Sequence, residues 1–425
     1  MLIWLTISGE PKPGDAPFVR LLRMGMLAHH LAEAGHEVVW WSSDFDHVLK
    51  VHRYGRDIER QIAPNLKLRL LHGCGYRRHV SLARLRDHRQ VASAFTRLAP
   101  SAPKPDVVVA AYPTIELAAA CAAYANPRGI PVAMDIRDLW PDIFLDLLPW
   151  FMRPIAKLPL LPYRRFARRT LARADALLSV TEPMLNWGLG MAGRSRNSDD
   201  HVIPFGYSKF ADDAVKEAAA SFWREKGLDS GRQFIVCLFA TFGRQFDIDT
   251  IVDSARLLEN RNVKDVRFVL CGQGDNLEKF RKRAAGLETV LFPGYMDSAQ
   301  IAALMSISRL GLAPYFSSRN FVMHVPNKPI EYMSAGLPIL TCLEGLLSDM
   351  LRKQGLGYIY RSGVPESLVS AVLSAKANAS ELSMMGERCR ALFEKEYMAG
   401  HVMEIYRAAI EKLASRHCKG REPRV

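Results

Sequence analysis

The chain has 425 residues, of which 49% are hydrophobic and 24% are charged. These values are ordinary for globular proteins and exclude a disordered chain, and the length suits two domains of roughly 200 residues each. The formal net charge is +13 and the sequence pI is near 9.5, which suits an anionic partner such as phospholipid, a lipid-linked diphosphate or nucleic acid.

The cysteines and the N-terminus indicate the compartment. The seven cysteines are an odd number without C-x-x-C spacing, so we expect reduced thiols in a cytoplasmic protein, not disulfides or a zinc site. The apolar start at residues 1–7 has neither a basic leader nor a small-residue cleavage site. It is therefore predicted to be a first strand and not a signal peptide. No uncharged apolar run reaches about eighteen residues, so no transmembrane helix is predicted.

Strand-length apolar runs alternate with helical patterns along the chain, which predicts an α/β protein with doubly wound parallel sheets. The loop after the first strand has Gly9 and Gly14 at the spacing of a phosphate-binding loop. Asp15 and Ala16 stand where that loop requires Lys and Ser or Thr, so we reject a P-loop.

A strand over residues 129–134 runs directly into a polar segment, 135–142. Ligands of open parallel sheets bind outside the carboxyl ends of the strands. Arg137 and Asp138 are therefore candidate functional residues. In the alternative interpretation, Asp138 caps a helix start and Trp140 belongs to the core.

The stretch from 143 to 163 is apolar and aromatic, is interrupted by four prolines, and continues into an arginine-rich segment. The prolines and charges exclude a bilayer span, whereas apolar residues flanked by arginines suit contact with a membrane surface. An interdomain or dimer surface is the alternative. The predicted membrane-contact residues are Trp150, Phe151, Arg153, Arg164 and Arg165, followed by a helix over 163–174.

In the second half, a strand over 234–240 is followed by the turn 241–245. Gly243 there allows a ligand to approach the backbone, and Arg244 offers a planar fork for phosphate oxygens. The next strand ends in a turn containing Gly272 and Gly274, which by itself is ordinary turn chemistry.

Residues 326–340 predict a short helix followed by a buried strand. Asn327 is the predicted cap, and Gly336 ends the helix in a left-handed conformation. Lys328 and the free N–H groups at the helix start suit a diphosphate, and Glu331 lies three positions later on the same face. The alternative is an ordinary amphipathic helix with a surface Lys–Glu pair.

The segment P-N-K-P-I-E-Y-M-S-A-G-L-P resembles the C-terminal signature of retaining glycosyltransferases of family 4, especially a bacterial surface-polysaccharide branch. The D-L-W-P segment at 138–141 and the Gly-Arg turn resemble the same family. The resemblance implies that Glu331 binds the ribose of a nucleotide-sugar and that Arg244 and Lys328 contact its diphosphate. Met323 stands where many members carry a second glutamate.

Most of the remaining site candidates follow from the same resemblance. It implies that Gly272 and Gly274 lie near the base, and that Arg137 and Asp138 orient the donor sugar or the acceptor. It also makes Gly14 a candidate, because the first loop of GT-B enzymes lies at the interdomain cleft. Glu344 and Gly345 are candidate loop residues because they follow the end of another predicted strand. Asp44-Phe45-Asp46 and Asp247-Ile248-Asp249 resemble the D-x-D metal motif of the other large glycosyltransferase fold, but neither has ligand partners nearby in sequence, so no metal site is predicted.

The fold implied is GT-B, with two facing Rossmann-like domains. We predict an acceptor-side domain over 1–207, a nucleotide-sugar domain over 208–397, and a helix and tail over 398–425 that return to the first domain. The expected reaction is retaining sugar transfer from a nucleoside-diphosphate-sugar in cell-surface polysaccharide synthesis, without cofactor or metal.

The expected partners are a lipid-linked saccharide acceptor and the anionic inner face of the cytoplasmic membrane. A GT-B sugar-nucleotide epimerase is the alternative enzyme. A nucleic-acid-binding or anion-binding protein is suggested by charge alone, and the chain lacks stacking platforms or a recognition helix, so nucleic acid is not an expected partner.

Overall fold

The computed structural model describes residues 1–15, 19–78, 80–146, 148–209 and 213–419. The chain forms two compact units. The first unit comprises Met1–Pro204 and Ala399–Val425, and the second comprises Phe205–Met398. The sequence-based boundaries at 207 and 397 lie next to these divisions.

Strands and helices alternate through the first unit. In chain order they are β1 (Leu2–Thr6), α1 (Arg23–Glu33), β2 (Glu37–Ser43), β3 (Phe45–Asp46), β4 (Val51–His52), β5 (Ile58–Ala63), β6 (Leu66–Leu71), α2 (Leu82–Leu98), β7 (Val107–Tyr112), α3 (Ile115–Ala125), β8 (Val132–Ile136), α4 (Ile143–Asp146), α5 (Arg153–Leu171), β9 (Ala176–Ser179), α6 (Glu182–Ala192) and β10 (His201–Val202).

The first unit is built on an eight-stranded sheet with the order β10-β9-β8-β7-β1-β2-β6-β5. Its neighbouring strands are parallel except for the antiparallel pair β5 and β6. Strands β7 and β8 are buried along their whole length, as expected when helices cover both faces of a parallel sheet. Strands β3 and β4 form a separate antiparallel hairpin after β2.

The second unit repeats the alternation. Its elements are α7 (Asp213–Glu225), β11 (Phe234–Thr241), α8 (Ile248–Asn260), β12 (Val266–Gln273), α9 (Leu277–Arg283), β13 (Val290–Gly294), α10 (Ser298–Ile307), β14 (Leu310–Ala313), α11 (Arg319–Val322), α12 (Asn327–Ser334), β15 (Ile339–Thr341), α13 (Leu346–Gln354), β16 (Gly357–Ile359), α14 (Pro365–Ala377) and α15 (Ala379–Leu392). Six parallel strands form its sheet in the order β13-β12-β11-β14-β15-β16. The predicted α/β class with two Rossmann-like parallel-sheet units is confirmed.

The last helix, α16 (Ala399–Lys419), belongs to the first unit. Its apolar side chains, among them Val402, Tyr406 and Ile410, are buried in the same core as Leu5 and Leu27. The chain therefore completes the first unit's core only after the whole second unit has been made.

The prediction for 143–174 was wrong in its helix boundaries. The expected helix began at 163, but α5 begins ten residues earlier and contains Pro159 and Pro162. An internal proline removes one hydrogen bond to the carbonyl four residues before it. Here those carbonyls belong to Ile155 and Leu158, which are exposed, so water can satisfy them and the helix continues.

Candidate functional site

Two loops meet at the carboxyl ends of the second unit's central strands. The loop after β11 pairs with the loop after β14 through an antiparallel bridge between Phe246 and Tyr315. The Phe316 N–H donates to the Gln245 carbonyl at 2.9 Å, and the Asp247 N–H donates to Pro314 at 2.8 Å. These backbone bonds fix the turn that carries Gly243 and Arg244.

Helix α12 brings Lys328 to the same place. The hydroxyl of Tyr332, which is fully buried, donates to the Leu312 carbonyl at 2.9 Å. The absence of a side chain at Gly311 leaves room for its ring, since a Cβ there would lie 2.3 Å from it. With the helix so held, the Lys328 Nζ lies 5.3 Å from the ring centroid of Phe246. The structure thus places Lys328 beside the loop that carries Arg244.

The start and end of α12 differ in how well the sequence predicted them. The predicted cap at Asn327 was wrong: Pro326 is the N-cap residue and supplies no side-chain acceptor, and Asn327 is the first helical residue. The predicted end was correct, because Gly336 has φ of +67° and its N–H donates to the Met333 carbonyl. The N-cap residue of α12 therefore provides no side-chain hydrogen bond to the helix start.

Glu331 is buried, with 4% of its surface exposed. The alternative of a surface Lys–Glu pair is therefore wrong for this residue. Burial and the nearby Glu331 carboxylate both raise the pKa of the Tyr315 phenol. The carboxylate of Glu331 is thus close to the loop after β14 and to the ring beside Lys328.

Gly272 and Gly274 lie where the end of β12 and the turn after it come close to the backbone at the end of β11. A Cβ on Gly272, where φ is +137°, would lie 1.8 Å from the Ala240 carbonyl oxygen. A Cβ on Gly274, where φ is +141°, would lie 2.7 Å from the Phe242 nitrogen. Glycine is therefore required at both positions. The turn after β12 lies directly against the turn that contains Gly243.

Arg244 is exposed and has no ion-pair partner among residues 213–419. Glu344 is also exposed, and its N–H donates to the Ser317 hydroxyl at 3.0 Å. Gly345 has φ of +80°, and a Cβ on it would lie 2.4 Å from the Val322 carbonyl oxygen. The loop before α13 is therefore tied to the segment that follows β14, at the same edge of the sheet.

Asp247 and Asp249, the second of the two acidic pairs, have separate partners. Asp247 is buried, and its carboxylate accepts hydrogen bonds from the N–H groups of Thr250 and Gly363 at 3.2 and 3.1 Å. Asp249 instead forms an ion pair with Lys279 at 3.2 Å. One carboxylate therefore caps α8 and the other lies in a surface ion pair.

The first unit contains a buried cluster of four charges at the carboxyl end of β8. Arg23 binds Asp135 through two hydrogen bonds of 2.9 and 3.0 Å, and both side chains are at least 98% buried. Arg137 donates to Asp135 at 2.8 Å and also to Glu10. Burial alone would raise the pKa of Asp135, but Arg23 and Arg137 lower it to about 2.

The Glu10 carboxylate also binds the N–H groups at the start of α1. It accepts from the N–H of Met24 at 2.9 Å and from that of Gly25 at 3.2 Å. The helix N-terminus, where a P-loop would hold phosphate, is therefore filled by a side chain of the protein. This contact supports the rejection of a P-loop.

Gly14, the loop candidate in this region, has φ of +90° and is exposed near the Arg60 guanidinium. The same loop contains Lys12, which is buried and donates to the carbonyls of Ser8 and Glu10. Burial and the nearby Arg53 lower the pKa of Lys12 to about 7. The loop is thus held by its own charged groups.

Arg137 and Asp138 lie at the predicted strand end, but Arg137 is not a free cation. Its charge is offset by Asp135 and Glu10, and only its Nη2 has no hydrogen-bond partner among the described residues. Trp140 is buried in the core against Phe144, as the alternative interpretation held for that residue.

The predicted membrane-contact segment is exposed. The exposed fractions are 61% for Phe151, 77% for Ile155 and 75% for Leu158. Arg165 and Arg164 are both exposed, and Arg164 forms an ion pair with Asp142 at 3.2 Å. Arg153 contacts the Leu148 carbonyl, and the side chain of Trp150 lies outside the described part of the chain. Across the described residues, none of the helices has the length and hydropathy needed to cross a membrane.

The sequence analysis did not identify the partners of Arg137 in the buried charge cluster at the carboxyl end of β8. Glu10 and Arg23 are separated from Arg137 and Asp135 by more than 100 residues. The sequence contained two signals. Glu10 follows the buried strand β1 and Arg23 begins helix α1, and Asp135 lies near the end of the buried strand β8. Such a pattern marks an ion pair only when the strands are known to be close in the sheet.

Two protein-family profiles match the chain, one in each unit. The profile of the family described as "Glycosyl transferases group 1" matches residues 220–391. That of the "Glycosyl transferase 4-like domain" matches residues 22–206. Together the two profiles span most of the chain.

One curated relative is the phosphatidyl-myo-inositol mannosyltransferase of Mycobacterium leprae (strain TN), which is 25% identical over 146 residues. The match spans 33% of this chain and 38% of that protein.

The fold resembles two solved structures along nearly the whole chain. Sucrose-phosphate synthase from Thermosynechococcus elongatus has a TM-score of 0.72 at 14% identity, covering 98% of this chain and 99% of that one. HepE of Anabaena in complex with UDP-glucose has a TM-score of 0.63 at 15% identity, covering 98% and 100%. At these identities the likeness establishes a fold of the GT-B type.

Proposed function

We propose that this chain, which belongs to the family-4 glycosyltransferases of the GT-B fold, transfers a sugar from a nucleoside-diphosphate-sugar. The transfer retains the anomeric configuration. The observation that carries this proposal is the convergence of Lys328, the start of α12 and the Arg244 turn at one edge of the second unit's sheet. In the HepE structure the nucleotide-sugar is UDP-glucose, so UDP-sugars are the first donors to test.

The mechanism follows from the charges that develop during transfer. As the sugar leaves, the diphosphate gains negative charge and the sugar becomes oxocarbenium-like. Fixed positive groups beside the leaving oxygen stabilise that change without reorganising. Arg244 and Lys328 fill this role, and the helix N–H groups next to Lys328 add to it. No metal ion is required for this step when these groups supply the charge.

The other candidates take positioning roles. Glu331 binds the ribose hydroxyls, because a carboxylate accepts hydrogen bonds from two neighbouring hydroxyls. Gly243, Gly272 and Gly274 keep side chains away from the nucleotide. Asp138 and the Nη2 of Arg137, which has no hydrogen-bond partner among the described residues, orient the sugar or the acceptor hydroxyl. Gly14, Glu344 and Gly345 stay candidate loop residues.

A panel of nucleotide-sugars tests the donor assignment. The purified chain is incubated with UDP-, GDP-, ADP- and TDP-sugars, while melting temperature and nucleotide release are followed. One donor is expected to raise the melting temperature and to be turned over. A chain that neither binds nor hydrolyses any of them would contradict the proposal.

Replacing Glu331 with glutamine is expected to raise the KM for that donor about tenfold or more, because each of two hydrogen bonds from the ribose falls from about 1.5–3 kcal/mol with a charged group to about 0.5–1.5 kcal/mol with a neutral amide. The control is Glu366→Gln, in the first turn of α14. Steady-state kinetics at varied donor concentration checks this. An unchanged KM in the folded variant would remove the ribose role.

We further propose that the acceptor is a lipid-linked saccharide of cell-surface polysaccharide synthesis, reached at the inner face of the cytoplasmic membrane. The support is the exposed face of α5, on which Ile155 and Leu158 are followed at helical spacing by Arg165 and Phe166. Apolar side chains beside arginines suit an anionic lipid surface. The name of the mycobacterial relative also contains a phospholipid, phosphatidyl-myo-inositol.

Removing the apolar part of this face is expected to reduce membrane binding. In flotation with phosphatidylglycerol-rich vesicles at low salt, the double variant Ile155→Ser/Leu158→Ser should partition at least about tenfold less than the natural chain, since each buried side chain contributes about 1.5–3 kcal/mol. Tyr295→Ser is the control, because Tyr295 is 70% exposed in the second unit. A natural chain that stays in solution at low salt would refute membrane contact.

A further inference from the structure

Three side chains of the first unit converge on one point away from the charged cluster around Asp135. They are Asp44, His52 and His72, and one ligand atom from each lies within 4.8 Å of the other two. The Nδ1 atoms of both histidines lie 3.2 Å from the same carboxylate oxygen, Oδ2 of Asp44. The two imidazole rings are 4.6 Å apart between centroids.

The three residues come from different elements at one end of the sheet. Asp44 directly follows β2, His52 ends β4, and His72 directly follows β6. Backbone bonds hold the carboxylate from behind: the Tyr54 N–H donates to Oδ1 at 2.8 Å and the Gly55 N–H donates to Oδ2 at 2.9 Å. Outer groups of this kind orient metal ligands.

Burial and chemistry point to a cation. The Asp44 side chain is fully buried, whereas those of His52 and His72 are 28% and 38% exposed. The site is thus closed on the protein side and open to solvent on the other. Two imidazole nitrogens and one carboxylate oxygen form a donor set that suits zinc, with water in the fourth position, and does not suit magnesium or calcium.

We propose that Asp44, His52 and His72 bind one zinc ion, which fastens the β3–β4 hairpin to the edge of the sheet. Each hairpin strand has only two residues, and so short a pair has little stability of its own. A bound ion would link this hairpin to the ends of β2 and β6. The site is separate from the donor proposal, which needs no metal, and the thiols take no part in it.

Zinc binding to the full, untagged chain tests the proposal. The chain carries Cys74→Ser, because Cys74 is an exposed thiol two residues from His72. After treatment with a chelator, calorimetry should show one zinc ion bound per chain and no magnesium binding. Cobalt in place of zinc should give the visible absorption of a four-coordinate nitrogen and oxygen site.

His52→Ala and His72→Ala should each weaken zinc binding by more than the roughly 10- to 100-fold that loss of an outer-shell partner costs. The control is His401→Ala, an exposed histidine on α16. Should an alanine variant fail to fold, His72→Gln, whose amide can still donate to Asp44, is measured instead and should also bind more weakly. Absence of binding at micromolar zinc, or equal affinity in the folded variants, would show that the histidines only donate hydrogen bonds to Asp44 and would overturn the proposal.

Discussion

Replacing Lys328 with alanine is expected to lower kcat about 100- to 1,000-fold, the range observed when a preorganised group that stabilises developing negative charge is removed. Its ammonium lies beside the Phe246 and Tyr315 rings, at 5.3 and 6.0 Å from their centroids. In the proposed mechanism, this position next to the Arg244 turn would give the leaving diphosphate a charge that water would otherwise have to supply. Steady-state kinetics with the accepted donor measures the effect.

Two comparisons make the Lys328 result specific. Lys353→Ala removes another lysine of the second unit, in the last turn of α13, and should leave kcat unchanged. Lys328→Arg keeps the charge and should retain more activity than the alanine variant.

Arg244→Ala should also lower kcat. The variant that lacks both Lys328 and Arg244 should lose less activity than the product of the single effects if both groups act on one leaving group. Undiminished activity of the folded Lys328→Ala variant would refute the mechanism.

Replacing Arg23 with methionine is expected to lower the free energy of unfolding by about 3–5 kcal/mol, because it leaves Asp135 buried with one of its two positive partners removed. Arg23 and Asp135 have side-chain exposures of 2% and 0%. The matched control is Arg196→Met, which breaks an ion pair with Glu182 whose side chains are 45% and 52% exposed. A surface pair contributes at most about 1 kcal/mol.

Urea unfolding followed by tryptophan fluorescence measures both variants. Of the seven tryptophans, only Trp223 lies in the second unit, so the signal reports mainly the first unit. Similar losses for Arg23→Met and Arg196→Met would contradict the importance of burial.

The same cluster predicts a pH dependence. The pKa of Asp135 falls to about 2 in the folded chain, below its ordinary value. A lowered carboxyl pKa contributes stability that is present above the unfolded pKa and is lost as the pH falls through the folded one. The stability difference between the natural chain and Asp135→Asn should therefore be constant near neutral pH and shrink between about pH 4 and pH 2.

Local patterns predicted much of the fold because they depend on neighbours in sequence. The alternation of strands and helices, the end of α12 at Gly336 and the glycine turn at 272–274 all follow from such patterns. The start of α12 was missed because Asn and Pro both suit a helix start, and only the backbone angles distinguish the cap from the first helical residue.

The features that sequence did not reveal depend on contacts between distant segments. Arg137 is 127 residues from Glu10, and its charge is offset only because the sheet order brings β1 close to β8. The continuation of α5 through two prolines depends on solvent at one face of the helix. Neither effect has a signature within a short window of sequence.

The cluster of Glu10, Arg23, Asp135 and Arg137 contains two acids and two bases, so it is electrically neutral. The excess charge of +13 must therefore reside on other residues. The buried cluster of the first unit exerts little long-range electrostatic attraction on a phosphorylated molecule. A negatively charged ligand would be drawn by exposed bases such as Arg165 and Arg244. Raising ionic strength should accordingly slow the capture of anions while leaving this interior arrangement intact.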